Sequence, residues 1–118
     1  MSKILIIDDS RFQRTILQNI LKNDGHQVLE ATSGRAGLTM AESERPDLII
    51  LDLIMPEVDG FSVLSILKQS QSDIPVVILS ADIQKATREE CLQAGAAAFL
   101  NKPVDPPELA RTIRDVLG

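Results

Sequence analysis

The sequence predicts a doubly wound α/β domain: (βα)5, a five-stranded parallel sheet with helices on both faces. Three observations predict it. Apolar blocks recur at Ile4-Leu5-Ile6-Ile7, Leu48-Ile49-Ile50-Leu51 and Val76-Val77-Ile78-Leu79. Such continuous runs, bounded by turn residues, read as strands buried on both faces, as in parallel sheets covered by helices. The segments between them place apolar residues at helical spacing. The 118 residues suit one domain, against ~100–200 residues per domain, and hold no internal repeat, low-complexity tract or linker.

The elements follow in order. After the first strand, over residues 4–7, a helix carries Phe12, Ile16, Leu17, Ile20 and Leu21 at helical spacing. Ser10 is its N-cap, Gln13 completes a capping box and Gly25 is the C-terminal glycine. The second strand, 27–31, and the fifth, 97–100, are less apolar or carry smaller side chains, and fit the sheet edges. Residues 34–44 form a shorter second helix, and 48–51 the third strand. Asp59-Gly60 introduces a helix over 61–70, with Phe61, Leu64 and Leu67 on one face. Residues 76–79 are the fourth strand. In the helix over 84–94, Cys91, Leu92 and Ala94 mark the inner side and Gly95 the stop. The last helix starts at Asp105-Pro106-Pro107-Glu108, a proline-bearing first turn with an acidic capping box, and buries Leu109, Ile113, Val116 and Leu117. All six prolines fall at joints.

Composition excludes several classes. Hydrophobic residues make up 44% and charged residues 25%, close to the globular ~45–50% and ~25%, which argues against disorder. No apolar run is long enough to span a bilayer. A net charge of −5 has the wrong sign for binding nucleic acid through its phosphates, so neither nucleic acid nor membrane is an expected partner. Cys91 is the one cysteine, which leaves no internal disulfide and no cysteine-rich zinc site. Met1-Ser2-Lys3 runs straight into a strand with no signal peptide, so a cytoplasmic protein is expected.

In open parallel sheets, chemistry sits outside the carboxyl ends of the strands. There the first strand ends in Asp8-Asp9, the third in Asp52 and the fourth in Ser80, while Lys102 follows the fifth. Taken singly, Asp9 could be a turn residue, Ser80 an N-cap and Lys102 a solvated charge. Together they place three carboxylates, a hydroxyl and an ammonium on one rim. Carboxylates 4 Å apart repel by ~4 kcal/mol at an effective dielectric of 20. A hard divalent ion relieves this, and Mg²⁺ suits a site with a few carboxylates, a carbonyl, waters and a phosphoryl oxygen. Lys102 and Ser80 can meet further phosphoryl oxygens, and an Asp carboxylate can act as nucleophile, forming an aspartyl phosphate.

The motifs Ile-Ile-Asp8-Asp9-Ser, Leu-Asp52-Leu-Ile-Met-Pro56 with Asp59-Gly60, Ile-Leu-Ser80-Ala, Ala-Gly95-Ala and Lys102-Pro103 occur in order over nearly the whole chain. In these the sequence resembles the receiver domain of two-component response regulators, of the single-domain kind, spanning residues 1–118. The resemblance implies strand order 2-1-3-4-5, a flavodoxin-like arrangement. It implies that Asp52 accepts a phosphoryl group from a phosphohistidine on a sensor histidine kinase or histidine phosphotransfer protein. Asp9, Asp52 and the backbone carbonyl of Ile54 would bind Mg²⁺ directly, and Asp8 through a water. Lys102 would pair with the phosphoryl oxygens, Ser80 would swing inward to one of them, and a cis peptide would join Lys102 to Pro103. Phe99, where tyrosine is commoner, would be the rotating aromatic switch.

Phosphorylation would add roughly −1.5 to −2 charges at one strand end. The space left by Ser80 could admit an aromatic ring, repacking the fourth helix, fifth strand and fifth helix into a surface that a downstream effector protein senses. Phe99 could equally be an ordinary core aromatic. His26 is expected in a turn, Cys91 and Met55 in packing, and Ile54 and Asp82 beside the phosphoryl site. Such a switch catalyses only its own phosphorylation and slow dephosphorylation, and is not otherwise an enzyme.

Two alternatives of other classes are an Asp-nucleophile, Mg²⁺-dependent phosphohydrolase resembling haloacid dehalogenases and a flavodoxin-like nucleotide binder. The first places its nucleophile after the first strand in a D-x-D arrangement, whereas Asp52 follows the third; the second wants a glycine- or hydroxyl-rich phosphate loop where Asp8-Asp9 stand. The chain also fits an excised receiver of a longer regulator. Ala96-Ala97-Ala98 stand where dimerising regulators commonly carry an acidic residue, which points to a monomer with a protein partner.

Overall fold

The computed structural model describes residues 1–118. The elements are β1 (Lys3–Ile7), α1 (Arg11–Asn23), β2 (Gln27–Ala31), α2 (Gly34–Glu44), β3 (Leu48–Asp52), α3 (Gly60–Gln69), β4 (Val76–Ser80), α4 (Lys85–Gln93), β5 (Ala98–Asn101) and α5 (Pro106–Leu117). The strands form one parallel sheet in the order β2-β1-β3-β4-β5, so β2 and β5 are its edges. No helix is long and apolar enough to cross a membrane.

The period-two alternation of strand side chains sorts the core into two layers. Ile4, Ile6, Leu48, Ile50, Val77 and Leu79 face α1 and α5, where Leu17, Leu21, Leu109 and Ile113 meet them. Leu5, Ile7, Ile49, Leu51, Val76 and Ile78 face α2, α3 and α4. Because both faces are covered, β1, β3 and β4 can be apolar without a break, which is why their blocks were legible. Phe99 on β5 belongs to the second layer, in register with Ile78.

Four helices are stopped at their N-termini by a side-chain oxygen that accepts an orphan backbone N–H: Ser10 from Gln13, Ser33 from Ala36, Asp59 from Ser62 and Asp105 from Glu108. The fourth helix, α4, lacks such a cap, and Cys91 is its one buried residue. By both measures it is the least anchored helix.

The structure corrects several details. Gln13 does not close a capping box: the Ser10 N–H donates to Asp8 Oδ1 at 2.9 Å, and Gln13 Nε2 is buried without a partner. Phe12 is 75% exposed. At about 100° per residue it lies roughly 140° around the helix from buried Leu17. Leu92 and Ala94 are exposed beside buried Cys91, and Leu117 is exposed in the last turn of α5. The fifth strand begins one residue later than expected, at Ala98.

Gly60 starts α3 with almost no clearance. A Cβ there would stand 2.5 Å from the Asp52 carbonyl oxygen and 2.6 Å from Leu53 Cα, while its own N–H donates to the Leu53 carbonyl at 2.9 Å. Both obstructing atoms are backbone, so neither can rotate away. Gly60→Ala is expected to destabilise the fold by about 2 kcal/mol or more in urea denaturation, the range of overpacked cores. Gly25→Ala, with open space but a φ of +86°, should cost only about 1 kcal/mol.

Candidate functional site

The sheet order sets β1, β3, β4 and β5 side by side, so their carboxyl ends form one continuous edge. Asp8 follows β1 directly and is 2% exposed; Asp52 is the last residue of β3, at 7%; Ser80 is the last of β4, at 0%. Asp9 is exposed beside them. One carboxylate oxygen from each of Asp8, Asp9 and Asp52 lies within 4.8 Å of the others.

Lys102 comes from the far side of this edge, and its long stem carries the ammonium across to β1 and β3. Its Nζ stands 3.2 Å from Asp52 Oδ1 and 3.4 Å from Asp8 Oδ2. The Lys102 backbone N–H donates to the Ser80 carbonyl at 2.8 Å, and a cis peptide links Lys102 to Pro103 as expected. Asp8 is fixed from its other side: Oδ1 accepts the Ser10 N–H, and its carbonyl accepts Arg14 Nη1 at 2.9 Å. Arg14 is held in turn by Glu30 at 3.1 Å.

Burial, and next the charge of Asp8, push the Asp52 carboxyl above the usual carboxylate range, making it a weaker acid; Lys102 and the Ile54 N–H pull it partly back. Three carboxylates against one ammonium leave the cluster net negative. This all-oxygen donor set, part buried and part open to solvent, fits a hard divalent cation.

Ser80 does not cap α4. Its Oγ accepts the Asp82 N–H at 3.0 Å. Asp82 accepts the Gln84 N–H and the Thr87 hydroxyl, which hold its carboxyl below the usual range. Ile54 stands two residues past Asp52 and is 65% exposed. Phe99 is buried in the α2–α3–α4 layer, on the same sheet face as Ser80 by strand alternation, and not at the acid cluster. Met55 is buried; His26 sits in the α1–β2 turn, its Nδ1 accepting the Ser2 N–H at 3.2 Å. Cys91 is buried, with its thiol pushed up by that burial and by acidic neighbours. The sequence reading missed Arg14 and Asn101, whose roles depend on partners remote in the chain.

A doubly wound domain with acids, a hydroxyl and a lysine at one strand edge is the class of protein that fold and site define. The chain matches the response regulator receiver domain over residues 4–114, and it belongs to that family of two-component signalling domains. It is 38% identical to the protein PilH of Pseudomonas aeruginosa, covering 100% of this chain and 99% of that one. It is 35% identical to the alkaline phosphatase synthesis transcriptional regulatory protein PhoP of Bacillus subtilis, over 98% of this chain but 48% of PhoP. It likewise spans 48% of the probable transcriptional regulator ycf27 of Porphyridium aerugineum, at 39% identity. Among solved structures, the Francisella response regulator 1452 receiver domain superposes with a TM-score of 0.95 at 28% identity, covering 99% and 97% of the two chains. The Vibrio cholerae chemotaxis protein CheY4 gives 0.90 at 33% identity, covering 98% of each.

The raised Asp52 carboxyl has a consequence for stability. A group that holds its proton more tightly when folded favours the fold below its unfolded value, and that contribution is lost as pH rises through the folded value. Without divalent cation the wild type therefore loses stability as Asp52 gives up its proton. Asp52→Asn is expected to be more stable by about 1 kcal/mol, roughly 4 °C in melting temperature for a domain of this size. Calorimetry in chelator at pH 7 checks this.

Proposed function

We propose that the chain is a phosphorylation-activated switch of a two-component or phosphorelay system in which Asp52 is the acceptor. The observation that carries this reading is the placement of Asp52: buried at the end of β3, 3.2 Å from the Lys102 ammonium, with the Asp8 and Asp9 carboxylates beside it. The donor is a phosphohistidine on a sensor histidine kinase or histidine phosphotransfer protein. A carboxylate oxygen of Asp52 forms the new O–P bond as the N–P bond breaks, and the electron pair leaves with the imidazole nitrogen.

Asp9, Asp52 and the Ile54 backbone carbonyl would hold Mg²⁺ directly, and Asp8 through water. When bound, the ion neutralises charge on the phosphoryl oxygens. Support comes from a relative by structure, the CheY of a CheX–CheY–BeF3–Mg complex from Borrelia burgdorferi, at a TM-score of 0.93 and 27% identity. Lys102, already shared between Asp8 and Asp52, turns its ammonium to a phosphoryl oxygen. Ser80 leaves the Asp82 N–H for another. Phe99, on the same sheet face, follows into the space, and weakly anchored α4 moves with β5 and α5 to present a new surface to an effector protein. On this reading the chain works as a cytoplasmic monomer and a switch, with no turnover of outside substrates.

Intact-mass measurement after incubation with acetyl phosphate tests it. The expected result is the gain of one phosphoryl group in Mg²⁺, none in chelator and none in Asp52→Asn. Lys102→Ala should slow the gain roughly tenfold or more, the worth of a charge-assisted hydrogen bond. An unmodified wild type in Mg²⁺ would sink the proposal, and sustained turnover of small phosphomonoesters would favour a phosphohydrolase.

A further inference from the structure

We infer that Asn101 is a positioning residue that acts through Ser80: its side-chain amide clamps the loop after β4 to the end of β5 and keeps the Ser80 hydroxyl engaged by the Asp82 backbone. The inference rests on the reading of Asp52 as phosphoacceptor and names a residue that sets how readily that site takes its ligand. Asn101 is the last residue of β5 and pairs in register with Ser80. Its Nδ2 donates to the Asp82 carbonyl at 2.8 Å and, more weakly, to the Ser80 carbonyl at 3.4 Å. The Asp82 N–H is the group that occupies Ser80 Oγ. The Asp82 carboxylate accepts the Gln84 N–H at 2.8 Å and the Thr87 hydroxyl at 2.7 Å.

The short Ser80–Gln84 connection is thus tied three ways: to β5 by Asn101, to β4 by Ser80, and to the first turn of α4 by Asp82. Turning the Ser80 hydroxyl toward Asp52 breaks the bond from the Asp82 N–H. While Asn101 holds the Asp82 carbonyl, that segment cannot readily swing to find the amide another acceptor, and an unpaired, part-buried amide is costly. Releasing Asn101 frees the segment and lowers the cost of the turned state. Any ligand that needs that state then binds more tightly, because a larger fraction of molecules is competent.

The test is the affinity of the full chain for beryllofluoride, a phosphoryl mimic, in Mg²⁺ by fluorine NMR; the protein has no Trp or Tyr to report binding by fluorescence. Asn101→Ala and the isosteric Asn101→Asp, which cannot donate, are both expected to bind roughly fivefold tighter than wild type, the equivalent of one net hydrogen bond. In a Ser80→Ala background the same Asn101→Ala change should have no effect, since no hydroxyl remains to be released. A purely structural role would not depend on that hydroxyl. Unchanged affinity in Asn101→Ala, an equal gain in the Ser80→Ala background, or a gain in Asn101→Asp alone would overturn the clamp. Failure of the wild type to bind beryllofluoride at all would overturn the Asp52 reading with it.

Discussion

The Lys102 ammonium, shared between the buried carboxylates of Asp8 and Asp52, is the interaction on which the rest of the site depends. Two carboxylates held on adjacent strands in a poorly solvated edge repel by several kcal/mol. One lysine offsets part of that, and because it reaches in from beyond β5 it ties three strands at their carboxyl ends. Its attachment is doubled by the backbone bond from Lys102 to Ser80, so the ion pair and the sheet edge support each other. The remaining negative charge suits a cation, and on the proposed reading the neutralised site takes a phosphoryl group.

Rigidity and mobility are divided along the sheet. The acids sit on β1 and β3, whose apolar side chains are covered on both faces and whose neighbouring loop is packed against Gly60 at backbone contact distance. The hydroxyl and lysine come from β4 and the edge strand β5, next to a helix with one buried residue and no side-chain cap. Regions with few buried contacts open at the lowest free energy. On the proposed reading, a charge change on the rigid half is felt as movement on the other half.

Much of this was legible in the sequence because it is local. The three apolar blocks gave the central strands, Ser10, Asp59 and Asp105 announced their helices, and Asp8, Asp9, Asp52, Ser80 and Lys102 each fall at the end of a strand or next to one. What failed was decided by partners elsewhere. Gln13 lost the capping box because Asp8, two residues before the cap, took the Ser10 N–H first. Phe12 kept helical spacing from Ile16 and Ile20 but falls outside the arc that the sheet covers. Asn101 gave no signal, since the two carbonyls it serves belong to the last residue of β4 and the loop after it, nineteen or more residues away. Arg14 reads as a solvated charge until β2 brings Glu30 beside it.

The central claim is that this edge makes Asp52, among three clustered acids, the nucleophile toward phosphorus. Borohydride reduction tests it most directly, because it converts an acyl phosphate, and no free carboxylate, to an alcohol. After treatment with acetyl phosphate and Mg²⁺, reduction and peptide mass analysis, the account predicts homoserine at position 52 and unaltered aspartate at 8 and 9. Homoserine at either of those positions, or none anywhere, would contradict it.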